Sequence, residues 1–173
     1  DNLIQGLELT GVNQVWVSDI TYIRTFHGFA YLFLTTDLYS RKILGWSLSR
    51  SLGIEGGLQA LKMALSSRGS TTESLIHHSD RGIQYCCKEY VKMLQKAGVN
   101  ISMTEDNHCY ENAVAERVNG ILKNEFYLDN IFNNFEQALS AVGSGIKNYN
   151  EKRPHWSLDL QTPSQVYGQT KAA

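Results

Sequence analysis

The sequence predicts an α/β domain built on a mixed β-sheet, and three observations carry that expectation. Residues 15–48 hold three runs rich in β-branched and aromatic residues, separated by short turn signals. After them, helical and strand-like periods alternate, which is the order of an α/β unit rather than of a sandwich. The chain has 173 residues with no internal repeat and no low-complexity tract, enough for one domain with a core of its own.

The first strand is expected from Gln14 to about Arg24, through Trp16-Val17-Ser18-Asp19-Ile20-Thr21-Tyr22, and His27-Gly28 marks a turn. Phe29–Thr36 and Ile43–Leu48 follow as strands joined by the turn-prone Asp37-Leu38-Tyr39-Ser40, so residues 15–48 read as an antiparallel meander. A helix over Glu55–Leu65 places Leu58, Leu61, Met63, Ala64 and Leu65 mostly on one face, with Arg68-Gly69-Ser70 as its stop. Ser74–Ser79 is a short strand with Asp80 at its C-terminal edge, where open α/β sheets place ligands. Tyr85–Ala97 reads as a helix ended by Gly98, Val99–Met103 as a fifth strand, and Thr104–Tyr110 as a polar loop. Helices are expected at about Glu111–Leu128 and at Phe135–Tyr149. The two prolines, Pro154 and Pro163, lie in a tail expected to be extended and draped over the domain. This divides the chain into a linker over 1–13, a core over 14–150 and a tail over 151–173.

Composition narrows the function. Hydrophobic residues make up 42% and charged residues 19%, and no apolar run is long enough to span a bilayer. The start lacks the basic and apolar regions of a signal peptide, and because it is not Met the sequence is expected to be a fragment of a longer polypeptide. Cys86, Cys87 and Cys109 form no CxxC pair and no even set, which points to a reducing cytoplasm. Sixteen Lys and Arg against seventeen Asp and Glu give a net charge of −1, so any contact with nucleic acid has to come from a local patch.

Three acids stand out. Asp19 lies in a strand, where Asp is normally depleted; Asp80 follows His77-His78-Ser79; Glu116 lies on the long helix. Asp80 and Glu116 are 116 − 80 = 36 positions apart. If the three converge, they form a site for Mg²⁺ or Mn²⁺, hard ions that prefer carboxylate, phosphate and water oxygens. At about 100° per residue, Lys123 falls nearly two turns after Glu116 and shares its stripe. Asn112 and Asn119 lie within about 60° of that stripe, while Val114, Val118 and Ile121 cluster opposite. Each residue also has a structural reading: Asp19 capping a turn or pairing with Arg24, Asp80 in an Asx-turn, Asp37 in a turn, and the long helix merely amphipathic. His77 and His78 have no second ligand pair nearby at zinc spacing, so packing or the orientation of Asp80 suits them better. Cys86 and Cys87 read as buried helix residues.

These residues resemble the bacterial insertion-sequence transposases with a retroviral-integrase-type catalytic core. The resemblance runs in order through Asn13-Gln14-Val15-Trp16-Val17-Ser18-Asp19-Ile20-Thr21-Tyr22, Asp37–Trp46, His78-Ser79-Asp80-Arg81-Gly82-Ile83-Gln84-Tyr85, Glu111–Arg117, and Tyr149-Asn150-Glu151-Lys152-Arg153-Pro154-His155. It implies a ribonuclease-H-like fold, a five-stranded mixed sheet flanked by helices. It also implies that Asp19, Asp80 and Glu116 are the catalytic carboxylates, binding two divalent ions for DNA cleavage and strand transfer. Lys123 is implied as a contact to the DNA backbone, with Asn112 and Asn119 as further polar contacts. Element-end and target DNA, and a second copy of the chain in a homo-oligomer, are the implied partners; the implied location is the bacterial cytoplasm at the nucleoid. An upstream helix-turn-helix region is implied by the same resemblance.

The chain departs from the family pattern at three places. Ser18 replaces the usual Thr; Glu105-Asp106-Asn107 replaces a basic pair with Gly, placing acids where phosphate would approach; and Glu111 replaces Asp. Two other functions use the same residues: a decayed or repurposed DNA-binding module, and a general ribonuclease-H-type nuclease.

Overall fold

The computed structural model describes residues 2–68, 74–104 and 113–171. Its centre is a five-stranded sheet in the order β3-β2-β1-β4-β5. Here β1 is Val15–Thr25, β2 Gly28–Asp37, β3 Ile43–Ser49, β4 Leu75–Ser79 and β5 Val99–Met103. The β1–β2 and β2–β3 pairs are antiparallel, as the turn signals between them require, whereas β4 joins β1 and β5 joins β4 in parallel. The helices are α1 (Ile54–Arg68), α2 (Ile83–Cys86), α3 (Lys88–Lys96), α4 (Ala113–Glu125), α5 (Phe135–Lys152) and α6 (Pro163–Lys171).

Strand alternation sorts the core into two layers. On one face Trp16, Leu44 and Leu75 meet Leu61 and Ala64 of α1 and Tyr90 and Leu94 of α3. On the other, Ile23, Leu32 and Leu34 meet Val118, Ile121 and Leu122 of α4 and Val142, Ile146 and Tyr149 of α5. Odd-numbered β1 residues face α4, and this parity puts Asp19 beneath that helix. Met63, expected on the apolar face of α1, is 44% exposed, because Gly57, Ala60, Leu61 and Ala64 supply the buried stripe.

A buried polar chain crosses the middle of the sheet. Ser18 Oγ lies 2.9 Å from Thr35 Oγ1 on β2 and 2.9 Å from His77 Nε2 on β4, and Tyr90 Oη on α3 lies 3.0 Å from the same nitrogen. His77 therefore packs and ties strands together, and burial pushes its pKa down to about 3, so the ring stays neutral. The hydroxyl this network needs is kept at Ser18. His78 Nδ1 lies 2.8 Å from Ser102 Oγ, linking β4 to β5.

Two elements differ from the sequence reading. The helix expected over Tyr85–Ala97 is two helices, broken at Cys87, whose extended backbone (φ −70°, ψ 150°) ends α2 and starts α3. Cys86 is exposed rather than buried and Cys87 is partly buried. The tail is not extended: it forms a 3₁₀ turn over Trp156–Leu158 and then α6, with Pro163 at its first position, where a missing N–H costs nothing. Asn150 pairs with both backbone groups of Ile43, at 3.0 and 2.9 Å, and so occupies the outer edge of β3. Asp37 is a buried turn acid that accepts hydrogen bonds from the amides of Asn13 and Ser40 and from the Ser40 hydroxyl. Among the described residues, no helix is long and apolar enough to cross a membrane.

The tightest contact between the layers is at Gly45. A Cβ there would intrude on the Ala60 carbonyl oxygen and stand 2.8 Å from the Ala64 nitrogen, both helix backbone that cannot give way. Gly45→Ala is expected to cost about 3 kcal/mol. Urea denaturation checks this, and a loss below about 1 kcal/mol would show that β3 and α1 can separate freely.

Candidate active site

The parallel pairing of β1 with β4 builds the site. Its register runs from Val15↔Ile76 to Ser18↔Ser79, so the next residues along the two strands are Asp19 and Asp80. Neighbouring strands lie about 4.8 Å apart, and register-paired side chains point to the same face. Here β4 ends while β1 continues against β2 alone, which opens a crevice at the carboxyl end of β4.

Asp80 leaves β4 in a tight turn, with its Oδ1 accepting from the Gly82 amide at 3.0 Å. The Asx-turn and the candidate catalytic position are thus the same structure, since the turn aims the acid and leaves its second oxygen for a ligand. The turn is held by neighbours: the Thr104 amide donates to the Ser79 carbonyl at 3.1 Å, and Arg81 Nε donates to the Thr104 carbonyl at 2.9 Å.

Asp19 does not pair with Arg24. The two are five residues apart on a strand and face opposite ways, and Arg24 instead binds Asp129. Asp19 receives Nδ2–H of Asn119 at 2.6 Å, and the Ile20 amide also supports its carboxylate. Burial raises its pKa from 3.8 to about 6; the negative charges of Asp80 and Glu116 add to that rise, while the Ile20 and Asn119 hydrogen bonds oppose it. Both other acids therefore lie close enough to act on Asp19. Among the described residues, no group of three or more His, Cys, Asp or Glu side chains is placed to hold a metal ion. The carboxylates are electrostatic neighbours around one crevice, not a finished cage.

Glu116 is exposed on α4, three residues before Asn119 and on the same side of the helix. Lys123 is half-buried two turns on, and with Tyr22, Arg24 and Phe29 it borders an open groove of about 450 Å³. Asn119, which the resemblance implied as a polar contact to DNA, is 8% exposed and its amide donates to Asp19. Helical phase gave its stripe but not its partner. Tyr22 and Phe29, 51% and 58% exposed and packed edge to face, add an aromatic wall that nothing in the strand pattern distinguished from ordinary β-sheet residues. Asn112, Glu111, Cys109 and the acidic run Glu105-Asp106-Asn107 lie outside the described residues.

The five-stranded mixed sheet, with Asp19 and Asp80 at the ends of two parallel-paired segments beneath α4, is the architecture of an integrase-type core. The chain belongs to the integrase core domain family, which it matches over residues 10–109, with a second integrase core domain match over residues 97–163. It is 38% identical over 163 residues to the insertion element IS600 uncharacterized 31 kDa protein of Shigella sonnei, covering 94% of this chain and 60% of that protein. It is 36% identical over 174 residues to the transposase InsF for insertion sequence IS3fB of Escherichia coli, covering 99% of this chain and 60% of that protein. With the putative transposase for insertion sequence element IS986/IS6110 of Mycobacterium tuberculosis it shares 38% identity over 117 residues, 65% of this chain and 42% of that protein. The chain thus spans 60% or less of the length of these relatives.

The fold matches the HTLV-2 integrase catalytic core domain in complex with magnesium, with a TM-score of 0.73 at 19% identity over 92% of this chain and 99% of that one. A chain of the simian T-cell lymphotropic virus intasome gives 0.77 at 20% identity, over 93% of this chain and 56% of that one. The fold is ribonuclease-H-like, as the sequence resemblance implied.

The raised pKa of Asp19 has a consequence for stability. A carboxyl whose pKa is higher in the folded than in the unfolded chain loses folding stability as pH rises from about 4 to about 6, and the loss persists above that. Replacing Asp19 by Asn removes the charge and keeps a carbonyl to accept from Asn119. Asp19→Asn is therefore expected to raise stability at pH 7.5 by about 2 kcal/mol, with the gain vanishing near pH 4. Thermal melts in EDTA at both pH values check this; a variant less stable than wild type at pH 7.5 would contradict it.

Proposed function

We propose that this chain is the catalytic core of a DNA transposase, which cleaves element ends and joins them to target DNA at Asp19, Asp80 and Glu116. The observation that supports it most is the β1–β4 register, which brings Asp19 beside Asp80 under the helix that carries Glu116, in a chain whose relatives include transposases. A general nuclease or a decayed binding module gains nothing specific from this geometry.

The donor set fits a hard divalent cation. Asp80 uses one oxygen in its turn and keeps the other, Glu116 stands exposed, and Asp19 carries a charge that its own neighbours disfavour and a cation would relieve. Two Mg²⁺ or Mn²⁺ ions, when bound by these carboxylates, supply electrostatic stabilisation of the attacking and leaving oxygens of an in-line displacement at phosphorus. The HTLV-2 catalytic core, which shares the fold, forms a complex with magnesium.

The chain's own residues do the positioning. Asn119 fixes the Asp19 carboxylate, the Gly82 amide fixes Asp80, and the Ser18–His77 network holds the two strands that present them. Lys123, two turns after Glu116 on α4, supplies a point charge for a backbone phosphate at the groove it shares with Tyr22, Arg24, Phe29 and Asp129. DNA and further copies of the chain are the partners in this reading; the HTLV-2 core has dimeric and trimeric forms, and the simian virus protein forms an intasome.

Two outcomes are expected with element-end duplex and Mn²⁺, followed on sequencing gels. Asp80→Asn reduces nicking and joining to background, and strand transfer persisting at the wild-type rate in this variant would sink the assignment. Asn119→Ala, which leaves Asp19 without its amide partner, lowers Mn²⁺ affinity by about 10–100-fold in calorimetry. Unchanged affinity would make Asn119 a packing residue only.

A further inference from the structure

The other side of α4 carries a second cavity, of about 550 Å³, which the carboxylate chemistry does not use. Val114, Val118 and Ile121 line it, and at about 100° per residue they sit roughly opposite the Glu116–Asn119–Lys123 stripe. Its other walls come from Arg41, from Tyr149 at the end of α5, and from residues 153–157 and Leu160. The motif Tyr149–His155, which offers no catalytic group and reads from the sequence as ordering the core or touching DNA, contributes Tyr149, Arg153, Pro154 and His155 to it.

The cavity is firmly built. Tyr149 Oη donates to the Arg41 carbonyl at 3.0 Å, fixing a residue whose backbone is left-handed (φ 64°). Arg153 grips Glu125 with two bonds of 2.6 Å and also donates to the Pro154 carbonyl at 3.2 Å. His155 is 8% exposed, lines the cavity, and leaves its Nε2 without a hydrogen-bond partner. Its amide and carbonyl close the turn that follows, through Gln161 at 3.1 Å and Leu160 at 2.9 Å. That turn displays Trp156 at 88% exposure.

The charge here is concentrated and predominantly positive, three arginines against Glu125. Burial and then the positive charges of Arg153, Arg41 and Arg117 push the His155 pKa down to about 4, with Glu125 alone among the named acids opposing them. Among the described residues neither Arg41 nor Arg117 comes within salt-bridge distance of an acid, whereas Arg153 does; Asp37 acts on Arg41 and Glu125 on Arg117 from further away. In a chain of net charge −1, this is a local cationic patch around an apolar floor, beside an exposed indole. Guanidinium groups match phosphate, and an exposed Trp offers a stacking face for a base of any sequence.

We propose that this cavity is a subsite for one unpaired nucleotide of a DNA strand, with its base against Trp156 and the Val118–Ile121 floor and its phosphate between Arg41 and Arg117. The proposal rests on the reading of DNA as the ligand of this chain, but not on the carboxylates being active. The volume suits one small planar ligand, whereas a base pair offers no free face to the indole. A strand held here would brace one face of α4 while the opposite face presents Glu116.

The test is binding of a fluorescein-labelled single-stranded 12-mer of thymidine to the 173-residue chain in EDTA, read by anisotropy and by quenching of tryptophan emission. Trp156→Ala is expected to weaken binding about fivefold or more and to abolish most of the quenching, while Trp156→Phe, which keeps a stacking face, stays within about twofold of wild type. Arg117→Glu is expected to weaken binding about tenfold and to flatten its salt dependence. Both side chains are exposed, so melting temperatures should stay at the wild-type value. Wild-type affinity in Trp156→Ala and Arg117→Glu together would overturn the proposal. So would a duplex of the same length outcompeting the single strand through Trp156. A change in sedimentation mass on Trp156→Ala with unaltered oligonucleotide affinity would overturn it in favour of a contact between copies of the chain. Asp80→Asn should bind the 12-mer as wild type does, which separates this site from the proposed chemistry: loss of joining with Trp156-dependent binding intact supports the subsite.

Discussion

The structure depends on the register between β1 and β4. These strands are far apart in sequence, and only four register pairs join them, yet the last pair decides which residues stand at the sheet edge. A slip of one position would turn the β4 side chains to the opposite face and move Asp80 away from Asp19. The chain opposes this with a hydrogen-bonded line through Thr35, Ser18, His77 and Tyr90, one residue before Asp19 and three before Asp80. Such a buried network is costly when incomplete and specifying when satisfied. Its place just inside the crevice ties the rigidity of the core to the geometry of the site.

The site itself works against stability. Asp19 is pushed toward neutrality by burial and by its two acidic neighbours, and one amide from Asn119 and one from Ile20 only partly compensate. Charge crowding of this kind is common where a fold holds groups ready for a ligand and uncommon where acids only decorate a surface. The opposite face of α4 has the inverse character, an apolar floor ringed by arginines. One helix of thirteen residues thus separates an anionic crevice from a cationic cavity. A chain with net charge −1 thus keeps its negative and positive side chains on separate faces of one helix.

The C-terminal segment belongs to this arrangement. Asn150 covers the edge of β3, Tyr149 holds the β2–β3 turn through the Arg41 carbonyl, and Arg153 bridges to the end of α4 through Glu125. Tyr167 of α6 donates to the Asn13 side chain at 3.0 Å, so the last helix reaches the segment that leads into β1. Residues near the two ends of the chain therefore meet beside the first strand.

The sequence by itself determined the strands and most helices, because β-branched runs, turn residues and apolar periodicity act over a few neighbours. It also singled out Asp19, Asp80, Glu116 and Lys123, since an acid in a strand and a shared helical stripe are local facts. It missed the break at Cys87, where neither Gly nor Pro marks the change, and the helix in the tail, which Pro163 starts rather than prevents. Tertiary structure alone decided that Asn119 serves Asp19, since a side chain 100 positions away cannot be read from phase. It alone assembled Arg41, Arg117 and Arg153 around His155, because three segments distant in sequence meet there only once β2, α4 and α5 have packed. Local patterns select elements, whereas long-range packing selects which side chains share a space, and in this protein that packing is set by where β4 lies against β1.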